Sequence, residues 1–299
     1  MTSLLPGFTR RDIVIDGARI AVHVGGDGPP LLMLHGYPQT HATWLGTAPG
    51  LAARFTCVVP DLPGYGDSEA LPDGPPDAPL MSKRALAARM VALMATLGHG
   101  RFHVLGHDRG ARVSYRLALD HPDAVDRLGI IEVVPTAEMW RAFTADMALK
   151  TYHWTFLAQP YPLPERMIDA SPEAYIDWTL QSWTRAGDLS AFPPAALATY
   201  RAQARSPASI HAMCQDYRAG ATVDRALDEA DRAAGRTILA PLHFLWSDSG
   251  FPARTGDPLA LWRRWAPHVT GAPVAAGHFA QEENPGAVLK AYLPFFSAP

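Results

Sequence analysis

The run Gly106-His107-Asp108-Arg109-Gly110 limits what this chain can fold into more than any other stretch. It follows an apolar run, Phe102 to Leu105, and leads into Ala111 to Leu119, which reads as a helix. Strand, Gly-x-nucleophile-x-Gly and helix in that order form a nucleophile elbow, a turn too tight for side chains at its flanks. The residue at the apex is Asp108, not a hydroxyl residue. A carboxylate is ionised at neutral pH and attacks carbon without help from a base, leaving an ester on the enzyme. The competing reading, an Asp that only caps the next helix, does not account for the glycines on both sides.

The elbow sits in an alternating pattern. Asp12–Ile15 and Ala18–Val24 are strand-like and are separated by Asp16-Gly17, a two-residue hairpin signal. Leu31–Leu34 is a continuous apolar run of the kind buried on both faces of a parallel sheet. A helical stretch near Thr43–Ala53, a strand at Phe55–Val59, a turn-rich loop from Asp61 to Ser68 and a helix from Lys83 to Leu97 follow. Ser82 is placed to cap that helix and Gly98 to end it. Arg127–Val133 is the next strand, and Leu242–Trp246 and Pro273–Ala276 are later ones. Helices near Leu259–Trp265 and over Ala287–Phe296 complete the pattern. The alternation predicts an α/β fold with a mostly parallel, doubly wound sheet. Between about Thr136 and Ala221 the strand signal disappears and Trp140, Trp154, Trp178 and Trp183 gather. We read this stretch as an inserted helical cap, residues 137–221, on a core made of residues 1–136 and 222–299.

With 299 residues, 48% apolar and 18% charged, the chain has ample material for one large core. A net charge of −3 gives no electrostatic case for nucleic acid or a membrane surface. The N-terminus lacks a signal-peptide pattern, and the longest apolar stretch, Ala85 to Leu97, is too short to span a bilayer. Cys57 and Cys214 read as buried thiols in a reducing compartment, so we expect a cytoplasmic protein.

His35-Gly36-Tyr37-Pro38, Asp61-x-Pro63-Gly64-x-Gly66-x-Ser68, the elbow and Gly277-His278 together resemble the α/β-hydrolase superfamily. With Asp at the apex, the chain is similar to haloalkane dehalogenases and epoxide hydrolases. It is most similar to the fluoroacetate (haloacetate) dehalogenases. That resemblance is densest in residues 35–41, 106–112, Tyr152-His153-Trp154, 182–188 and 216–220. It implies hydrolytic dehalogenation of short 2-haloacids, with fluoroacetate or chloroacetate giving glycolate and halide. It further implies no metal or organic cofactor, and a homodimer. The alternatives are an epoxide hydrolase, with Tyr217 and Tyr152 or Tyr175 polarising the ring oxygen, and a haloalkane dehalogenase. A binding protein that keeps only the hydrolase shell is a third, less consistent with a full set of reactive positions.

The expected roles follow from chain order and from that resemblance. Asp108 is the nucleophile, and His278, after the last strand, activates the hydrolytic water. Glu132, at the end of the strand after the elbow, occupies the place of the acid that orients the histidine. The fluoroacetate enzymes usually have Asp there, so Glu is a departure, and Asp248 is the rival. Backbone N–H groups of Tyr37 and Arg109 form the oxyanion hole; Tyr37 stands where Phe is common. Arg109 and Arg112 lie in the first helical turn after the nucleophile, where anions are already favoured. An anionic substrate 4 Å from Asp108 is repelled by about 4 kcal/mol at an effective dielectric of 20. That is roughly a thousandfold in rate, and two guanidiniums on the substrate carboxylate remove it. The resemblance adds His153, Trp154 and Tyr217 as halide donors and Trp183 as a pocket residue. Without it, Trp154 and Tyr217 read as packing. His107 reads as packing, and Arg116 as a surface ion pair with Asp120.

Overall fold

The computed structural model describes residues 3–75, 79–255 and 257–298. Eight strands form one sheet: β1 (Thr9–Ile15), β2 (Ala18–Gly25), β3 (Pro30–Leu34), β4 (Thr56–Pro60), β5 (Phe102–His107), β6 (Val125–Ile131), β7 (Leu242–Ser247) and β8 (Val269–Val274). Their spatial order is β1-β2-β4-β3-β5-β6-β7-β8. β2 runs antiparallel to both β1 and β4, and all other neighbours are parallel. The first hairpin closes at Asp16-Gly17, with φ of +46° and +79°. Positive φ at both central residues is the turn geometry that matches the twist of a hairpin.

The central strands are buried on both faces, as their unbroken apolar sequences require. Leu32, Val58, Val104, Ile130 and Phe244 feed the larger core on one face. Leu31, Met33, Cys57, Val59, Leu105, Ile131 and Leu245 feed a second core on the other. Both cysteines are free thiols and buried. Among the described residues no helix is long and apolar enough to cross a membrane.

Helices α1 (Ala48–Ala52), α2 (Lys83–Thr96) and α3 (Asp108–Asp120) pack on the first half of the sheet. The Ser82 hydroxyl accepts from the Ala85 N–H at the start of α2, and Gly98 beyond its end has a φ of +89°. Between β6 and β7 come eight helices. They are α4 (Thr136–Arg141), α5 (Ala145–Lys150), α6 (Tyr152–Phe156), α7 (Leu163–Asp169), α8 (Pro172–Trp183), α9 (Pro194–Ala204), α10 (Pro207–Ala221) and α11 (Val223–Ala233). α12 (Pro258–Arg263), α13 (Ala280–Glu283) and α14 (Pro285–Ser297) complete the chain.

Residues 136–156 form three short helices, with Thr144 capping the second and Thr151 joining the second to the third. One local reading needs correction. The last strand begins at Val269, four residues before Pro273, because Leu242–Ser247 pairs with it along its whole length.

Arg116 also departs from expectation. Its i+4 pair with Asp120 exists at 3.3 Å, but Arg116 is 2% exposed. α11 lies against this face and supplies Asp228 at 2.8 Å and Asp231 at 2.5 Å. Asp228 also accepts from the Tyr115 hydroxyl and the Ala137 N–H, so one buried carboxylate ties α3, α4 and α11 together. Removing the guanidinium would leave Asp228 buried without its cation, while Asp231 keeps Arg236 at 2.6 Å; breaking a buried pair in this way typically costs about 3–5 kcal/mol. We expect Arg116→Ala to lower the unfolding free energy extrapolated from urea melts by an amount in that range with an unchanged slope; a loss under 1 kcal/mol would show the network to be dispensable.

Candidate active site

The elbow forms where β5 runs into α3. Asp108 has a φ of +46°, in the left-handed region that side chains rarely adopt. A side chain at Gly110 would overlap the Leu34 and His35 carbonyls of β3, which explains the glycine. Glu132, at the end of β6, has a φ of +67°. The two non-glycine residues held in this conformation beyond the hairpin are both candidate catalytic acids. Such conformations persist where the surrounding structure enforces them, and they cluster at functional sites.

Asp108 is 6% exposed. The Tyr37 N–H donates to its Oδ1 at 2.9 Å, while its Oδ2 faces His278 Nε2 at 3.7 Å. One oxygen is thus held by the backbone and the other is turned to the histidine. Burial alone would raise the Asp108 pKa, but the His278 ring, then His107 and Arg109, hold it well below the usual carboxylate range. His278 moves the other way. Burial disfavours its cation, yet Asp108 and Glu132 together raise it above the ordinary value.

The loop carrying His278 is fixed by its backbone. Its N–H donates to the Trp183 carbonyl at 2.8 Å, and its own carbonyl lies 2.8 Å from His107 Nε2. Burial depresses His107 to about 3, so that ring is neutral at pH 7 and holds the loop as a hydrogen-bond partner. Glu283 accepts from the N–H groups of Gly277 and Phe279 and adds negative charge near His278.

The two candidate acids occupy different surroundings. Glu132 is 6% exposed and accepts from the Ser247 N–H; its charge acts on His278. Burial, only partly opposed by His278 and that N–H, pushes it up to about 8. Asp248 is turned outward and paired with Arg185 at 2.5 Å. Its carboxylate is 40% exposed. The length of Glu132 is accommodated by Gly250, where any side chain would overlap Glu132 Oε1.

The two arginines differ sharply. Arg109 is 1% exposed and its charge is answered by Asp216: Nε donates to Oδ1 at 3.0 Å, and Nη2 donates to the backbone carbonyl at 2.7 Å and also reaches Oδ1. Lys83 contacts the same carboxylate oxygen, and Tyr65 donates to the other at 3.2 Å. Arg112 is 3% exposed and has no carboxylate within ion-pair distance among the described residues. Its Nη1 donates to the Val134 carbonyl at 3.0 Å and the Thr136 hydroxyl at 3.1 Å, and its guanidinium lies 4.6 Å from the centre of the Trp154 ring. Burial lowers the Arg112 pKa, whereas Asp216 raises that of Arg109 against its own burial.

Several buried polar atoms converge here without partners: Arg109 Nη1, Arg112 Nε, His153 Nδ1, Tyr217 Oη and His278 Nε2. A native interior pairs nearly all such atoms, so a cluster without partners marks a place shaped for something else. The His153 ring packs 4.3 Å from Trp183 and 5.6 Å from Tyr217. Burial brings His153 down to about 3, leaving it neutral, and keeps the Tyr217 hydroxyl protonated. The Tyr37 hydroxyl donates to Tyr175 at 3.0 Å. A cavity of about 700 Å³ is lined by Asp108, Arg112, Glu132, His153, Trp154, Trp183 and His278, among others. Arg109 and Tyr217 lie next to these residues but do not line it. Asp216, Lys83, Glu283 and Gly250 had no local signal in the sequence, since each acts through a contact with a distant segment.

An arrangement of buried carboxylate, histidine and backbone donors is suited to covalent hydrolysis. The chain's relatives include hydrolases. Residues 29–285 match the family model described as alpha/beta hydrolase fold. The chain is 39% identical to a fluoroacetate dehalogenase from Burkholderia sp., over 98% of this chain and 95% of that protein. It is 30% identical to a soluble epoxide hydrolase from Corynebacterium sp. strain C12, over 97% and 98% respectively. A protein from Pseudomonas aeruginosa, described as a candidate epoxide hydrolase and solved as a variant with bound MFA, superposes with a TM-score of 0.92 at 48% identity, covering 99% of this chain and 98% of that one. With an eight-stranded, mostly parallel sheet, an acid at the elbow and a family match over most of its length, the chain belongs to the α/β-hydrolase family.

Proposed function

We propose that this hydrolase cleaves the carbon–halogen bond of short 2-haloacids, turning haloacetate and water into glycolate, halide and a proton. The observation that carries this reading is the buried Arg112 guanidinium, which lines the cavity beside Asp108 with no carboxylate of its own. A buried cation without a counter-ion is costly, and a substrate carboxylate would supply the missing charge. Arg109 Nη1 offers one further donor from a guanidinium already neutralised by Asp216. The relative named as a fluoroacetate dehalogenase supports the same class.

In this reading Asp108 Oδ2 attacks C2 from the side opposite the halogen. The C–X electron pair leaves with the halide, and C2 inverts. His153 Nδ1, the Trp154 indole and the Tyr217 hydroxyl are the donors assigned to the leaving halide. His278 Nε2 then takes a proton from water, and the hydroxide adds to Cγ of Asp108. The negative charge appears on Oδ1, which already accepts from the Tyr37 N–H; Arg109 N–H is the second donor. Collapse expels glycolate, whose departing oxygen takes the proton back from His278, and the carboxyl left on Asp108 releases its proton to solvent to restore the carboxylate. Once ionised, Glu132 stabilises the His278 cation formed on the way, and Trp183 walls the pocket.

An epoxide hydrolase shares Asp108 and His278, and the 30% relative keeps it in view. A neutral epoxide, like a haloalkane, would leave Arg112 unanswered. Halide release from chloroacetate against diol formation from styrene oxide separates the two.

Three outcomes are expected. After one turnover in heavy-oxygen water, mass spectrometry should find label in the Asp108 peptide, and unlabelled Asp108 with labelled glycolate would remove the ester route. Arg112→Met should lower kcat/KM for chloroacetate by about a thousandfold, the repulsion it no longer offsets; a change under threefold would end the carboxylate assignment. Glu132→Gln tests the buried acid through stability. Because the Glu132 pKa is raised to about 8 in the folded protein, its contribution is kept below its ordinary value and lost as pH rises through 8. The variant should therefore gain on the wild type in denaturant midpoint between pH 5 and pH 9, and a constant difference would show that Glu132 does not titrate in that window.

A further inference from the structure

The cavity is much larger than the substrate just assigned to it. Haloacetate has five non-hydrogen atoms, on the order of 150 Å³ at the density of liquid water, whereas the cavity holds about 700 Å³. Besides Asp108 and Arg112, its walls include an apolar set: Val133, Val134 and Met139, all buried, and Met147, Phe251 and Leu261, which are half-buried. Its outer end carries the exposed side chains of Arg141, Lys150, Arg254 and Arg264, which outnumber the one exposed acid there, Asp146. An apolar passage of this kind has no use for haloacetate, whose C2 bears only hydrogens beside its carboxylate and halogen.

The placement of groups around C2 says which substituent it would hold. In the proposed reaction the carboxylate is on Arg112, the halogen points to His153 and Trp154, and Asp108 lies opposite the halogen. Two positions remain on C2. Only one of them can face the passage while the other three groups are engaged. We infer that the site takes 2-haloalkanoates carrying an apolar chain or ring on C2, laid along Val133, Val134 and Met139 and reaching Met147 and Leu261. The inference rests on the haloacid reading and narrows it to one enantiomer of a longer acid. The cations at the outer end favour the approach of an anion of this type.

The test is halide release from chloroacetate, 2-chlorobutanoate and each enantiomer of 2-chlorohexanoate by the wild type, Met147→Trp and Leu261→Trp. Burying one methylene is worth roughly fourfold in affinity. We expect KM in the wild type to fall at least tenfold from chloroacetate to one enantiomer of 2-chlorohexanoate, with the other enantiomer at least tenfold poorer in kcat/KM. Each indole should erase that gradient while chloroacetate kcat/KM stays within about twofold, which also reports that the variant is folded. A wild type that releases halide from chloroacetate with KM flat or rising along the series would overturn the inference and leave the haloacid reading standing. Variants that slow all three acids equally would make the passage a route of entry only and would likewise overturn it. Release from none of the acids, chloroacetate included, would overturn both.

Discussion

A positive charge sealed beneath an indole ring with no acid to answer it is the constraint on which the site's design depends. Arg112 is held in place by neutral oxygens, the Val134 carbonyl and the Thr136 hydroxyl, and by the face of Trp154. These partners fix its direction without discharging it. Its neighbour Arg109 is treated oppositely, locked onto Asp216 and braced by Lys83 through the same carboxylate. One guanidinium is therefore spent on the scaffold and the other is kept available. The distinction could not be made from two arginines three positions apart, because it is set by α10 arriving from more than a hundred residues away.

Around this pair the protein arranges two neutral imidazoles and one whose cation is favoured. His107 and His153 are both kept uncharged by burial, so neither adds a competing cation near Asp108. His278 is the exception, raised by Asp108 and Glu132. Three neighbouring imidazoles thus differ in state: His107 is neutral and fastens a loop, His153 is neutral with Nδ1 unpartnered, and His278 is raised by the acids around it. The difference comes from which charges each ring faces, since all three are buried or nearly so.

Much of the framework could be read from local residues. The Asp16-Gly17 hairpin, the Ser82 cap, the apolar runs of β3 and β5 and the elbow glycines each state their own geometry over a few positions. What escaped was set by partners far away in the chain. Arg116 looked like one half of an exposed i,i+4 pair until α11 covered it with Asp228 and Asp231. β8 starts earlier than its apolar core because pairing with β7 recruits Thr270 and Gly271 into the ladder. The positions of Asp108, Glu132 and His278 at strand ends could be predicted. Their electrostatic states could not, because burial and neighbouring charge decide them only once the chain is assembled.

The contact between Glu132 and Gly250 has an evolutionary side. The longer acid reaches into space that exists only because residue 250 has no side chain. A side chain at 250 would press on Glu132 Oε1, so glutamate at 132 could be kept only by turning its carboxylate out of the place it now holds. Two positions in separate strand-end loops are thereby expected to drift as a couple, each setting which changes the other can tolerate.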